Sequence, residues 1–196
     1  MTLSVSWPDP PLTSFTEEER KEIQSVRPSL VVGDNEDIIV SERVSPGSNI
    51  GTVENRLSYV AIEFIGSKEM DIAARLLAKA EEAGGAKLLD RHFAYQGMAQ
   101  AYYRHRNDDP EALDLAIDAC EKQIRLGPEA AKVFLVEDTE DYLPAHHGFQ
   151  QLAIIREREK DYAEAIRLCR EAMAQGWGGE WEKRIARCEN RLAKLE

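Results

Sequence analysis

Residues 149–177 read FQQLAIIREREKDYAEAIRLCREAMAQGW. Phe149, Leu152 and Ala153 recur at helical steps, and after Lys160-Asp161 so do Ala165, Cys169 and Ala172, so the stretch predicts two helices joined by a tight turn. Two further stretches repeat the same spacing of large and small residues. One is Leu57, Val60, Ala61, Phe64, Ala73, Leu77; the other is Tyr95, Met98, Ala99, Tyr102, Ala116, Cys120. From the first large residue to the alanine of the second helix the step is 16 residues in the first and third copies (57 to 73, 149 to 165). In the middle copy it is 21 (95 to 116), so five extra residues lengthen the inter-helix loop near Arg104 to Glu111.

Contact distance explains the pattern. Ala61, Ala73, Ala99, Ala116, Ala153 and Ala165 let paired helices approach, and the larger residues fill the spaces between them. Helices are expected near 54–66, 69–83, 89–106, 110–126, 145–159, 161–175 and 179–195. Asp109 before Pro110 is a cap followed by the residue best tolerated at a first helical position. Asp161 with Glu164 makes a box-like start, and Gly84, Gly127 and Gly176 read as stops after the second helix of each hairpin.

These residues resemble the tetratricopeptide repeat, in which a large residue, a small one and an aromatic on one helix meet alanine on the next. The clearest copy runs from Phe149 to Trp177, and the resemblance covers roughly residues 54–177. Residues 179–195, with Trp181, Ile185, Cys188 and Leu192 at helical spacing, resemble the extra helix that covers the last repeat. The implied fold is all-α, a right-handed superhelix of antiparallel hairpins with a C-terminal capping helix and an irregular N-terminal leader. Alanine-to-alanine spacings of 43 and 49 (73 to 116, 116 to 165) exceed the family period of about 34. Insertions therefore separate the copies; the second, Glu129 to Leu143, starts like a helix at Pro128 and ends in the acidic run Glu137 to Asp141.

Residues 1–50 form the leader and 51–196 the helical domain. Five of the eight prolines fall in the leader. Thr16 and Glu19 form a capping box for a short helix to Gln24, stopped by Pro28. The β-branched runs 30–32 and 38–40 around Gly33-Asp34-Asn35 suit a small hairpin, and Pro46-Gly47-Ser48-Asn49 marks the boundary.

A chain of 196 residues that is 43% hydrophobic and 31% charged buries a real core. Its apolar runs fall far short of the roughly 18 residues of a bilayer span, and no secretion signal opens it. A cytoplasmic location is expected. Cys120, Cys169 and Cys188 have no disulfide or zinc spacing and read as small packed hydrophobes. The net charge of −11 opposes nucleic-acid binding. Residues 151–196 alone are slightly basic, with 10 basic against 9 acidic side chains. There Arg184, Arg187 and Arg191 share one helix face, and interleaved Glu182 and Glu189 give it the look of a solvated surface.

In the tetratricopeptide family the first helix of each hairpin lines the concave face. The resemblance therefore nominates Gln96, Gln100, Tyr103 and Arg104, with His147, Gln150, Glu157 and Arg158, as partner contacts. Amides, a phenol and guanidinium groups suit a peptide backbone or a carboxylate. The first copy offers Ser58 and Ile62 where chaperone-binding members carry a two-carboxylate clamp, so a chaperone's acidic tail is disfavoured. Adjacent His146 and His147 point about 100 degrees apart on a helix and do not share an ion easily, and the acidic run lacks an EF-hand's glycine and terminal Glu. His146 suits packing or capping. Trp177-Gly178-Gly179-Glu180-Trp181 is expected to pin the last helix.

No Gly-rich phosphate loop, nucleophile elbow or paired-carboxylate motif is present, so no catalytic residue, metal or cofactor is nominated. The expected function is binding of a protein or peptide in the concave groove, with no membrane or nucleic acid as partner. In a variant of that reading the leader lies in the groove. The alternatives are a small-molecule or enzymatic pocket near His147 and Arg158, and a structural role through self-association.

Overall fold

A computed structural model describes residues 3–5, 15–26, 30–32, 38–40, 52–137 and 142–194. The protein is predominantly helical and divides into two compact units, residues 1–94 and 95–196, with the division inside one helix.

In the first unit the chain runs β1 (Leu3–Val5), α1 (Glu17–Val26), β2 (Leu30–Val32), β3 (Ile38–Val40), α2 (Val53–Ser67), α3 (Met70–Ala83) and the first part of α4 (Leu88–His105). The expected pairing of 30–32 with 38–40 is present and antiparallel, with Leu30 opposite Val40. It gains a third strand, because β1 pairs with the other edge of β3, Leu3 again opposite Val40. An isolated two-stranded hairpin is marginal, and the added strand supplies what it lacks. The turn at 33–35, Pro28 and the boundary at 46–49 lie outside the described residues.

The capping box of α1 is reciprocal: the Glu19 amide donates to Thr16 Oγ1 at 3.2 Å, and the Thr16 amide donates to Glu19 Oε2 at 2.7 Å. Glu19 also accepts from the Arg75 guanidinium on α3, whose carbon sits 4.8 Å from the Phe15 ring centroid. Phe15 and Ile23 are buried, so the leader helix is tied to the hairpin of α2 and α3 by apolar burial as well as by charge. Thr52 caps α2 by accepting from the Asn55 amide. Glu54 takes the Arg91 guanidinium and the Ala86 amide.

The second unit holds the end of α4, then α5 (Ala112–Glu137), β4 (Leu143–Ala145), α6 (His147–Arg158), α7 (Tyr162–Ala174), β5 (Trp177–Gly178) and α8 (Trp181–Leu192). One expectation fails here. Gly127 does not stop a helix; α5 continues through Gly127 and Pro128 to Glu137. The glycine serves close approach instead, since a Cβ on it would sit 2.8 Å from Gln175 Oε1 and 3.6 Å from Trp177 Nε1. Proline removes one helical hydrogen bond, but Ala130 and Ala131 beyond it are buried and hold the helix on course.

All six nominated alanines are fully buried, as are Leu57, Cys120, Phe149 and Cys169. The first and third hairpins also share their turns at a fixed offset of 92 positions. Lys68 and Lys160 take the left-handed conformation (φ 70 and 65), and Gly84 and Gly176 follow with positive φ (57 and 84). The closing hydrogen bonds correspond too: Glu69 N to Phe64 O at 2.9 Å, and Asp161 N to Arg156 O at 2.9 Å.

Candidate functional site

His146 starts the site by fixing where α6 begins. Its Nδ1 accepts from the Phe149 amide at 3.3 Å, and its ring meets Trp177 and Phe149 edge-on at 4.7 and 4.8 Å. It is both cap and core. Beside it the Gly148 amide donates to Gln123 Oε1 on α5 at 2.7 Å. Trp177 and Trp181 are buried, and the Trp181 indole donates to the Trp177 carbonyl at 2.7 Å, so this segment pins α8. Parallel pairing of β5 with β4, Leu143 opposite Trp177, holds it from the other side.

Of the nominated partner contacts, the structure brings two together. Arg158, at the last turn of α6, donates to the Tyr103 hydroxyl on α4 at 2.6 Å. Arg106, just past α4, lies over the same ring at 4.2 Å from its centroid and donates to the Tyr103 carbonyl at 2.8 Å. Tyr103 is thus held by two guanidinium groups, which its negative ring face favours. Arg106 was not nominated, although its i, i+3 spacing from Tyr103 is readable in the sequence. Gln96, Gln100, Arg104 and Gln150 make no side-chain hydrogen bond or ion pair among the described residues; Gln100, Arg104 and Gln150 are exposed and Gln96 is half-buried.

The carboxylates of the second unit go elsewhere. Arg156 pairs with Glu159, Arg167 with Glu164 and Glu171, and Arg170 with Glu189. Among the described residues of this unit, Arg104, Arg106, Arg125 and Arg158 are the arginines with no carboxylate partner, and two of the four share Tyr103.

On α6, His147, Gln151 and Arg158 follow at i, i+4 and i+11 on one face. The Nε2 atoms of His147 and Gln151 are buried with no hydrogen-bond partner among the described residues, and Gln151 as a whole is 9% exposed. Burial holds the His147 imidazole below its ordinary pKa, favouring the neutral ring.

Glu157 faces the other way. It was nominated for the groove, but its carboxylate is 10% exposed and accepts from three arginines of α8. Of the expected solvated face, Arg187 and Arg191 are exposed and Arg184 is half-buried, and what the sequence did not show is that all three pair with Glu157. The Arg187 hydrogen bonds hold the Glu157 carboxyl below its usual range, with the Arg184 and Arg191 charges adding to them against its partial burial.

Two hollows lie at the start of α8, one of about 380 Å³ lined by Met173, Gly179 and Trp181, another of about 60 Å³ reaching Gln150 and Arg184. Neither is lined by His147 or Arg158. Among the described residues no group of His, Cys, Asp and Glu has a metal-binding arrangement, and no helix is long and apolar enough to cross a membrane. No family model, curated protein or solved structure matches the chain.

Proposed function

We propose that the protein is a tetratricopeptide-like binding module whose α4–α6 face receives a carboxylate-bearing segment of a protein partner, without catalysis. The observation that carries the reading is Tyr103, held between Arg106 and Arg158, neither of which has a carboxylate among the described residues. In a chain of net charge −11, guanidinium groups left without acid partners are positioned for an acid from outside. His147 and Gln151 lie on the same face of α6, and their Nε2 atoms have no hydrogen-bond partner among the described residues. A right-handed superhelix is the fold that this reading assumes, and the duplicated hairpin turns support it. A cytoplasmic setting suits its three buried thiols.

The test is a pull-down from the native host with wild type and an Arg104→Ala, Arg158→Ala double variant, followed by anisotropy on acidic peptides from any captured protein. A partner is expected to be lost at least tenfold by the double variant. Equal capture and equal affinity by both proteins would sink the assignment.

A further inference from the structure

We infer that the arginine fan of α8 is a binding site for a phosphoryl group, with Glu157 as a built-in carboxylate that occupies part of it. This goes beyond the proposed peptide face and does not rest on it.

Glu157 is saturated. Its Oε1 accepts from Arg187 Nε at 2.8 Å and Arg191 NH1 at 2.9 Å, and its Oε2 accepts from Arg187 NH2 and Arg184 NH1, each at 2.8 Å. Four donors fill the roughly four lone-pair sites of one carboxylate. A single bidentate arginine would have satisfied most of that need, yet three converge. Each guanidinium carries five N–H donors, so most of the fan's donors remain after Glu157 is served. Arg187 and Arg191 side chains are 45% and 47% exposed, so those donors face water, while Arg184 at 16% forms the floor.

Charge fixes the ligand class. Three cations against one anion leave an excess of two positive charges at this place. The neighbouring acids are committed: Glu189 pairs with Arg170, Glu180 with Lys183, and Glu159 with Arg156. None of the three arginines has another acidic partner among the described residues. Placing like charges at i, i+3 and i+7 on one helix is unfavourable by itself, and one glutamate compensates it incompletely. A phosphate monoester carries about −1.5 to −2 at pH 7 and offers three acceptor oxygens, matching the residual charge and the outward donors; a second carboxylate would leave one charge over. The source that fits a fan whose outer arginines, Arg187 and Arg191, stand exposed on a helix face is a phosphorylated side chain of another protein.

The probe is a fluorescent Gly-Ser peptide carrying one phosphoserine, titrated by anisotropy with the full-length chain at low ionic strength, beside its unphosphorylated counterpart. Wild type is expected to bind the phosphopeptide at least tenfold more tightly than the serine peptide, and inorganic phosphate is expected to displace it. Arg187→Gln with Arg191→Gln should weaken binding at least tenfold, and Arg187→Lys, which keeps the charge and loses the fork, several-fold. Glu157→Gln removes the competing carboxylate and should tighten binding several-fold, whereas a purely structural ion pair would give no gain. Arg125→Gln, an exposed arginine elsewhere in the unit, is the control. Equal binding of both peptides, failure of phosphate to displace, no gain in Glu157→Gln, or a double variant within twofold of the control would each overturn the assignment.

Discussion

Burial sets the protonation of His92 on α4. Its pKa is lowered to about 4, because the folded chain withholds water from the imidazolium. In the unfolded chain the ring titrates near 6.5, so between those values the unfolded state binds more protons than the folded state. Stability therefore falls as the pH drops from about 6.5 to about 4, by up to about 3 kcal/mol, and no further from this group below that. The stability of His92→Gln relative to wild type, read from urea midpoints, should rise as the pH falls across that range, from whatever offset the substitution leaves at neutral pH. Glu157 adds a second acid-sensitive step. Its depressed pKa stabilises the fold above the ordinary carboxylate value of 4.5, and that contribution is lost as the pH falls through the depressed value. The cysteines run the other way, with burial and the Glu121 charge pushing Cys120 up to about 12 and burial pushing Cys169 up to about 11, so both thiols stay protonated near neutrality. What the sequence allowed at this scale was short-range. Thr16 with Glu19 and Asp161 with the Glu164 amide lie three residues apart, so local geometry alone predicts their bonds. Glu157 meets arginines 27 to 34 positions away, and three arginines on one helix face read alike whether water or a carboxylate lies opposite.

The elements were legible because their spacing is governed by their own packing. Six alanines at the expected places are fully buried, and so are large residues of the same pattern such as Leu57, Val60 and Phe149. Ala153→Leu should overpack the α6–α7 hairpin at a cost of about 1–3 kcal/mol, read from thermal or urea unfolding. Glycines were harder to read, since one residue type serves both a positive-φ stop and a close approach. Gly84 and Gly176 do the first; Gly127 and Gly148 do the second. A Cβ on Gly148 would stand 2.9 Å from the Cys120 carbonyl, a backbone atom that has no rotamer to retreat to. Gly148→Ala is accordingly expected to lose about 1–3 kcal/mol even though alanine favours helix, whereas Gly66→Ala meets nothing within 4 Å and should be neutral or stabilising.

At the scale of the whole chain, each unit has its own tether between distant segments. In residues 1–94 it is Glu19 to Arg75, with Phe15 beneath the guanidinium. In residues 95–196 it is Glu157 to α8, with Trp181 and Cys188 buried below. Deleting residues 1–50 should therefore lower the unfolding midpoint and not merely shorten the chain, because α2 and α3 lose the apolar cover of Phe15 and Ile23. A calorimetric trace unchanged by that deletion would show that the leader contributes nothing to the fold. The surface around Tyr103 stayed less readable than the helices for a physical reason. Exposed polar residues are compatible with many neighbours, and Arg106 acquires its meaning only when Arg158 arrives from 52 positions away.

The matched turns of the first and third hairpins carry one more consequence. Lys68 and Lys160, then Gly84 and Gly176, place positive-φ residues at matching positions around two second helices that share two alanines, a leucine and an arginine (Arg75 and Arg167). Residues 68–84 and 160–176 are equally long, and each opens on a lysine in the left-handed region and closes on a glycine at positive φ, so an exchange of one segment for the other starts from matched entry turns.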